Sequence, residues 1–285
     1  MNKVKKILTT LMAATLTVST GVTSMPMLAH NVKAESKAET ISSDTNAMSQ
    51  YKKINGISSQ TVLGADFSHY QLQKNAWKKV WKNYKGIEVS NVFEYVRSQG
   101  INTISVKVAV NPTGDDSYLS LDNAKKTLKE AKQAGLKTNV VLLYSDKITY
   151  AKTQDLPVAW STDKAVDQAK EYTKNVLNEL KKEDISPTMV TIGNEVDWNF
   201  LNMSSSWDGY CAMAEISKIV KDAGSKVSLS FAAPQKTSGL QDIIEQLGYA
   251  YAKYDGADYD YIGVNLYPDD NTTKYVKTLK ETVED

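Results

Sequence analysis

Asn194 and Glu195 stand directly after the apolar run Met189-Val190-Thr191-Ile192 and one glycine. An amide beside a carboxyl group at the end of a buried strand is a pair suited to glycoside cleavage. A retaining glycosidase needs a proton donor next to the leaving oxygen and a carboxylate nucleophile on the other face of the sugar, about 5 Å away. A neighbouring asparagine can bond the sugar 2-hydroxyl, a contact that strengthens in the transition state. Other strand-like runs also end on polar groups, at Asp66, Asn111, Tyr144-Ser145-Asp146 and Tyr267. The plain alternative is that these strand ends simply enter solvent. Trp160, Trp198, Trp207 and Tyr267 offer rings that can stack on sugar faces or pack in the core, and Trp198 lies three residues past Glu195. His69 either lines the mouth after the first strand or makes a structural hydrogen bond. Asp115-Asp116 reads as a solvated loop pair rather than a calcium site, and Cys211 as a buried residue without a catalytic role. The sequence shows no cofactor motif, and only two histidines, His30 and His69, are present, which argues against a His-rich zinc site.

Strands must position these groups. "TVLGADF", "NTISVKVAV", "KTNVVLLY", "TMVTIGN", "KVSLSF" and "YDYIGVNLY" read as strands. Between them lie helical patterns. In "STDKAVDQAKEYTKNVLNELKK", Val166, Ala169, Tyr172 or Thr173, Val176 and Leu180 recur at helical spacing, with Ser161 or Thr162 placed to cap the start. Leu121, Ala124, Leu128 and Ala131 mark a second amphipathic helix, and "IIEQLGYAYAKY" reads as a core helix face. Gly100, Gly135 and Gly224 each sit between a helix and the next strand, where a left-handed residue ends a helix.

Strands buried on both faces and alternating with helices imply a parallel sheet. It is either an open doubly wound sheet or a (β/α)8 TIM-type barrel. "GADFSHY" after the first strand lacks GxGxxG, and no GxxxxGK[ST] occurs, which favours the barrel. The first six β/α units are present over residues 61–285, and the last two are missing. A fragment of a longer protein is therefore expected in preference to an open barrel with two unpaired edges. In such a barrel the C-terminal strand ends share one mouth, where the site should lie.

The chain of 285 residues is 41% apolar, enough for a full core, and its net charge of +1 gives no drive toward nucleic acid. Lys3, Lys5 and Lys6 precede an apolar stretch from Ile7 to about Val22, and Val32-Lys33-Ala34 suits a signal peptidase. Residues 1–34 are thus expected to be a secretory signal of Gram-positive type and 35–60 a flexible polar leader. The mature protein is expected to be extracellular, monomeric and free of the membrane.

The motifs resemble the endo-β-1,4-galactanases (arabinogalactan endo-1,4-β-galactosidases), retaining barrel glycosidases, over most of residues 61–285. "LGADFS" is similar to that family's first strand. Tyr144 to Asp146, Gln154 and Leu156 to Trp160 resemble its third strand and loop, "IGNE" its acid/base strand, and "DYDYIGVNLYP" its sixth. The resemblance implies Glu195 as general acid/base, Asn194 as 2-hydroxyl partner, and a polysaccharide substrate. Asp66, Tyr144, Asp146, Trp198 and Tyr267 are expected to line the substrate site. The family's nucleophile is a glutamate on the seventh strand, expected beyond residue 285. The sequence departs from the family at Ser105, Lys107 and Ala109, where two arginines and a tryptophan are usual. It departs again at Leu143, for a histidine, and at Ile148, for a tryptophan. Two other readings follow from these departures: a secreted carbohydrate-binding barrel that has lost catalysis, and a retaining glycosidase for another β-glycan.

Overall fold

The computed structural model describes residues 61–83, 85–232, 237–267 and 269–284. The signal and leader expected over residues 1–60 lie outside them. Six strands form one parallel sheet in sequence order: β1 (Gly64–Asp66), β2 (Thr103–Val108), β3 (Lys137–Leu142), β4 (Met189–Ile192), β5 (Lys226–Phe231) and β6 (Tyr261–Val264). The pairing runs β1 to β6 with each strand beside its sequence neighbours, as in six of the eight units of a (β/α)8 barrel. Every expected strand is present.

Helices cross over between them: α1 (Tyr70–Asn75) and α2 (Val92–Ser98), then α3 (Leu121–Gln133), α4 (Ala165–Lys182), α5 (Ser206–Asp222) and α6 (Thr237–Lys253); α7 (Thr272–Glu284) follows β6. Gly100, Gly135 and Gly224 do take left-handed conformations at helix ends, with φ of 100°, 74° and 81°. Asn91, Ser120 and Ser205 cap α2, α3 and α5 through their side chains. The cap expected from Ser161 or Thr162 is not made. A short 3-10 turn (Thr162–Lys164) intervenes, and Lys164 becomes the cap residue of α4. Instead the Ser161 N–H donates to the Gln168 side chain at 3.1 Å.

Alternation along the strands sorts the core. Val106, Val108, Val140, Leu142, Val190, Ile192, Val227, Leu229 and Phe231 pack outward into one cluster with α3–α6. Residues of opposite parity point to the concave side: Ser105, Lys107, Asn139, Thr191, Ser228 and Ser230. The expectation of strands buried on both faces holds for β2 to β5. By contrast, β1 and β6, the two edges of the sheet, are only half-buried along their length.

Candidate active site

The turn after β4 sets the site. Gly193 has φ +72°, and a Cβ there would fall 2.2 Å from Val196 Cγ1. Glu195 itself has φ +55°, a conformation that a side-chain-bearing residue holds only when its surroundings impose it. They do so on both sides. The Gly193 N–H donates to the Leu142 carbonyl on β3 at 2.9 Å, and the Val196 N–H donates to the Ser230 carbonyl on β5 at 2.9 Å. The Asp197 carboxyl, fully buried, accepts from the Ala232 N–H at 2.9 and 3.2 Å. Burial pushes that carboxyl up, and the nearby Glu195 charge adds to the rise.

Glu195 is 5% exposed. Its Oε1 accepts from Asn265 Nδ2 at 2.7 Å and from the Tyr267 hydroxyl at 2.9 Å. Its Oε2 accepts from the Ala151 N–H at 3.1 Å. Burial and the hydrogen bond to Glu195 push the Tyr267 phenol up to about 12, so it stays a donor at neutral pH. Elements β4, β6 and the loop after β3 therefore converge on one carboxylate. That loop is tied down by Asn194, whose Nδ2 donates to the Thr149 carbonyl at 2.7 Å. Gln154 Nε2 lies 2.9 Å from the Asn194 carbonyl and 3.1 Å from that of Glu195.

Asp66, at the end of β1, lies on the concave side and pairs with Lys107 of β2. Its Oδ1 accepts from the Ser68 N–H at 2.8 Å and the Ser68 hydroxyl at 2.6 Å. Burial works against the Asp66 charge, but Lys107 and Ser68 outweigh it and hold the carboxyl below its ordinary value. Trp198 and Tyr267 are each 52% exposed.

Two expected site residues are placed elsewhere. Tyr144 lies past the end of β3 with φ +53° and packs into the outward core; it is 2% exposed, with its hydroxyl 2.9 Å from Thr173 Oγ1 of α4 and its ring against Phe200. It belongs to the core and not to the mouth. Both carboxylate oxygens of Asp146 are occupied by backbone, accepting from the Asn111 and Val158 N–H groups at 2.9 Å each. It braces two loops. Trp160 is half-buried and meets Tyr172 edge-on, and Cys211 is buried in α5. Asp115 and Asp116 begin a 3-10 turn (Gly114–Leu119). Among the described residues no His, Cys, Asp and Glu cluster is disposed to hold a metal.

Asn265, Ala151 and Asp197 were not singled out by sequence. Asn265 has the parity of Gly263, opposite to the outward Ile262, and that signal could have found it. The N–H of Ala151 carries no side-chain signal at all.

The family model for glycosyl hydrolase family 53 matches residues 62–285. The chain belongs to that family. The probable arabinogalactan endo-β-1,4-galactanase A of Aspergillus terreus is 30% identical over 237 residues, which cover 78% of this chain and 66% of that protein. The endo-β-1,4-galactanase of Bacillus subtilis is 28% identical over 229 residues, covering 76% and 52%. The chain thus spans between about half and two thirds of the length of these curated relatives. The family 53 catalytic domain of Ignisphaera aggregans superposes with a TM-score of 0.68 at 21% identity, covering 81% of this chain and 67% of that one. A fungal β-1,4-galactanase gives 0.64 at 23%, covering 77% and 68%. Both likenesses support the barrel architecture. Among the described residues no helix is long and apolar enough to cross a membrane.

Proposed function

We propose that the protein is a secreted glycoside hydrolase that cleaves within β-1,4-galactan or arabinogalactan by retaining double displacement, with Glu195 as general acid/base. The observation that carries this reading is the Glu195 carboxyl at the C-terminal end of β4, gripped by Asn265, Tyr267 and Ala151 beside Asn194. Membership of family 53 and the names of its relatives support the substrate class. Asn194 and Tyr267 serve the bound sugar, and Trp198 offers it a stacking surface. The nucleophile belongs to the seventh barrel strand, which residues 61–285 do not include. Residues 1–34 act as the export signal, cleaved after Ala34. N-terminal sequencing of secreted protein checks this, with Glu35 expected first.

The test of mechanism uses a protein carrying the complete barrel. Glu195→Gln should lower galactan turnover by roughly 10²–10⁴-fold, the usual contribution of general acid–base catalysis. Formation of the glycosyl-enzyme from an activated aryl galactoside, whose leaving group needs no proton, should be spared. Equal loss of both would show that Glu195 is not the proton donor. A second reading, a carbohydrate-binding barrel without catalysis, is favoured by Ala109 and Leu143 on the concave face, where the resemblance implies a tryptophan and a histidine. Galactan binding without reducing-sugar release by the complete barrel would decide for it.

A further inference from the structure

The mouth has two unlike halves. Past the C-terminal ends of β2 and β3, above Lys107 and Asn139, the concave side is apolar and closed: Leu119 is 0% exposed, Leu143 1%, Ala109 2% and Tyr118 8%. These four, with Val141, form a hydrophobic cluster separate from the outward core. The 3-10 turn Gly114–Leu119 delivers Tyr118 and Leu119 onto the strand ends, and the Ala109 N–H donates to the Leu119 carbonyl at 3.0 Å. His69 stacks on Tyr118 with ring centroids 4.0 Å apart, extending the wall toward β1. Over β4 to β6 the same level is polar: the Tyr267 hydroxyl meets Glu195, part-exposed Ser230 holds the Val196 N–H through its carbonyl, and Trp198 stands three residues past Glu195.

We infer that the cleft is one-sided: the plug of Tyr118, Leu119, Ala109 and Leu143 walls off the β2–β3 half and confines a glycan to the half over β4–β6. This rests on the reading of the mouth as a glycan site. A pyranose carries hydroxyls that leave water only where protein groups replace their hydrogen bonds. The plug's side chains provide almost none, and they are already packed against one another. A sugar ring would have to displace side chains that are less than 9% exposed to occupy that half. The wall therefore acts on specificity, by limiting how many sugar units contact the protein on that side of Glu195.

Three variants that each add one cysteine to the native Cys211, Ala109→Cys, Ser117→Cys and Ser230→Cys, test this by maleimide labelling, with buried Cys211 as the slow background. Ser230→Cys should label readily and Ala109→Cys at least about tenfold more slowly, because reaction there waits on local opening. β-1,4-Galactotetraose should slow labelling of Ser230→Cys and leave Ser117→Cys, on the exposed surface of the plug's turn, unchanged. Labelling of Ala109→Cys as fast as Ser230→Cys would mean that no wall exists. Protection of Ser117→Cys equal to that of Ser230→Cys would mean that the glycan crosses the wall. Either result overturns the inference. If the tetraose protects neither variant, the glycan reading fails and the confinement with it, while the Ala109→Cys rate reports separately on the wall.

Discussion

The two faces of this sheet solve different problems with the same strands. Outward residues of β2 to β5 are valine, isoleucine, leucine and phenylalanine, buried against the helices. Inward residues one position away are mostly serine, asparagine, threonine and lysine, with Met189 and Val141 apolar among them, Val141 within the Tyr118 cluster. The polar face is not loose. Asn139 joins three strands, donating to Ser105 Oγ at 3.0 Å and accepting from Thr191 Oγ1 at 3.1 Å. Lys107 pairs with Asp66 across β1 and β2. The outward face supplies stability by removing area from water, about 1.5–3 kcal/mol for each large side chain fully buried. The inward face contributes less, because each internal hydrogen bond replaces one to water. What it gains is direction: polar groups aimed into one mouth.

Substitutions that separate the faces should differ in scale. The largest loss is expected from Ile192→Ala, an outward residue at 0% exposure, at about 2–5 kcal/mol in urea denaturation. Next comes Lys107→Met, which leaves Asp66 half-buried without its cation, at about 3 kcal/mol near pH 7. Its pH dependence follows from the lowered Asp66 carboxyl. A depressed carboxyl adds stability above its unfolded value near 4, and that stability is lost as pH falls through the lower folded value. The gap between wild type and Lys107→Met should therefore narrow as pH falls below about 4, and a gap that did not narrow there would discard the ion-pair explanation. Thr191→Val, the inward neighbour of Ile192, removes one hydrogen bond and should cost about 1 kcal/mol. Equal losses for Thr191→Val and Ile192→Ala would erase the distinction between faces. Tyr144→Phe should also cost about 1 kcal/mol, through its bond to Thr173, while leaving galacto-oligosaccharide affinity unchanged in calorimetry.

Much of this was legible before any coordinates. Six apolar runs became six strands, and the three glycines marked the helix ends. Glu195 stood out because an amide and a carboxyl come together at the end of a buried strand, where a site needs them, with solvent exposure as the plain alternative. The misreadings have more than one cause. Strand-end residues were taken by position alone, whereas a strand's alternation, and the turn past its end, decide which side they reach. Tyr144 sits in a left-handed turn past β3 (φ +53°) that carries its ring to the helices, while Leu143 before it joins the inward cluster. Asn265, one residue beyond the apolar β6 run, was missed because its parity was not read. Ala151 was out of reach on any reading of side chains, because its contribution to Glu195 is a backbone N–H presented by a folded loop. Asp146 looked like a ligand and is a brace, since a carboxylate beside two free backbone donors is satisfied locally.

Gly193 carries no chemistry, yet it governs what this site can become. A saturation library at that codon should return one functional residue, because every other side chain meets Val196 Cγ1 at 2.2 Å and strains a φ of +72° as well. Side chains around Glu195 can change without relieving this demand, because the clash lies within the turn itself, between Gly193 and Val196.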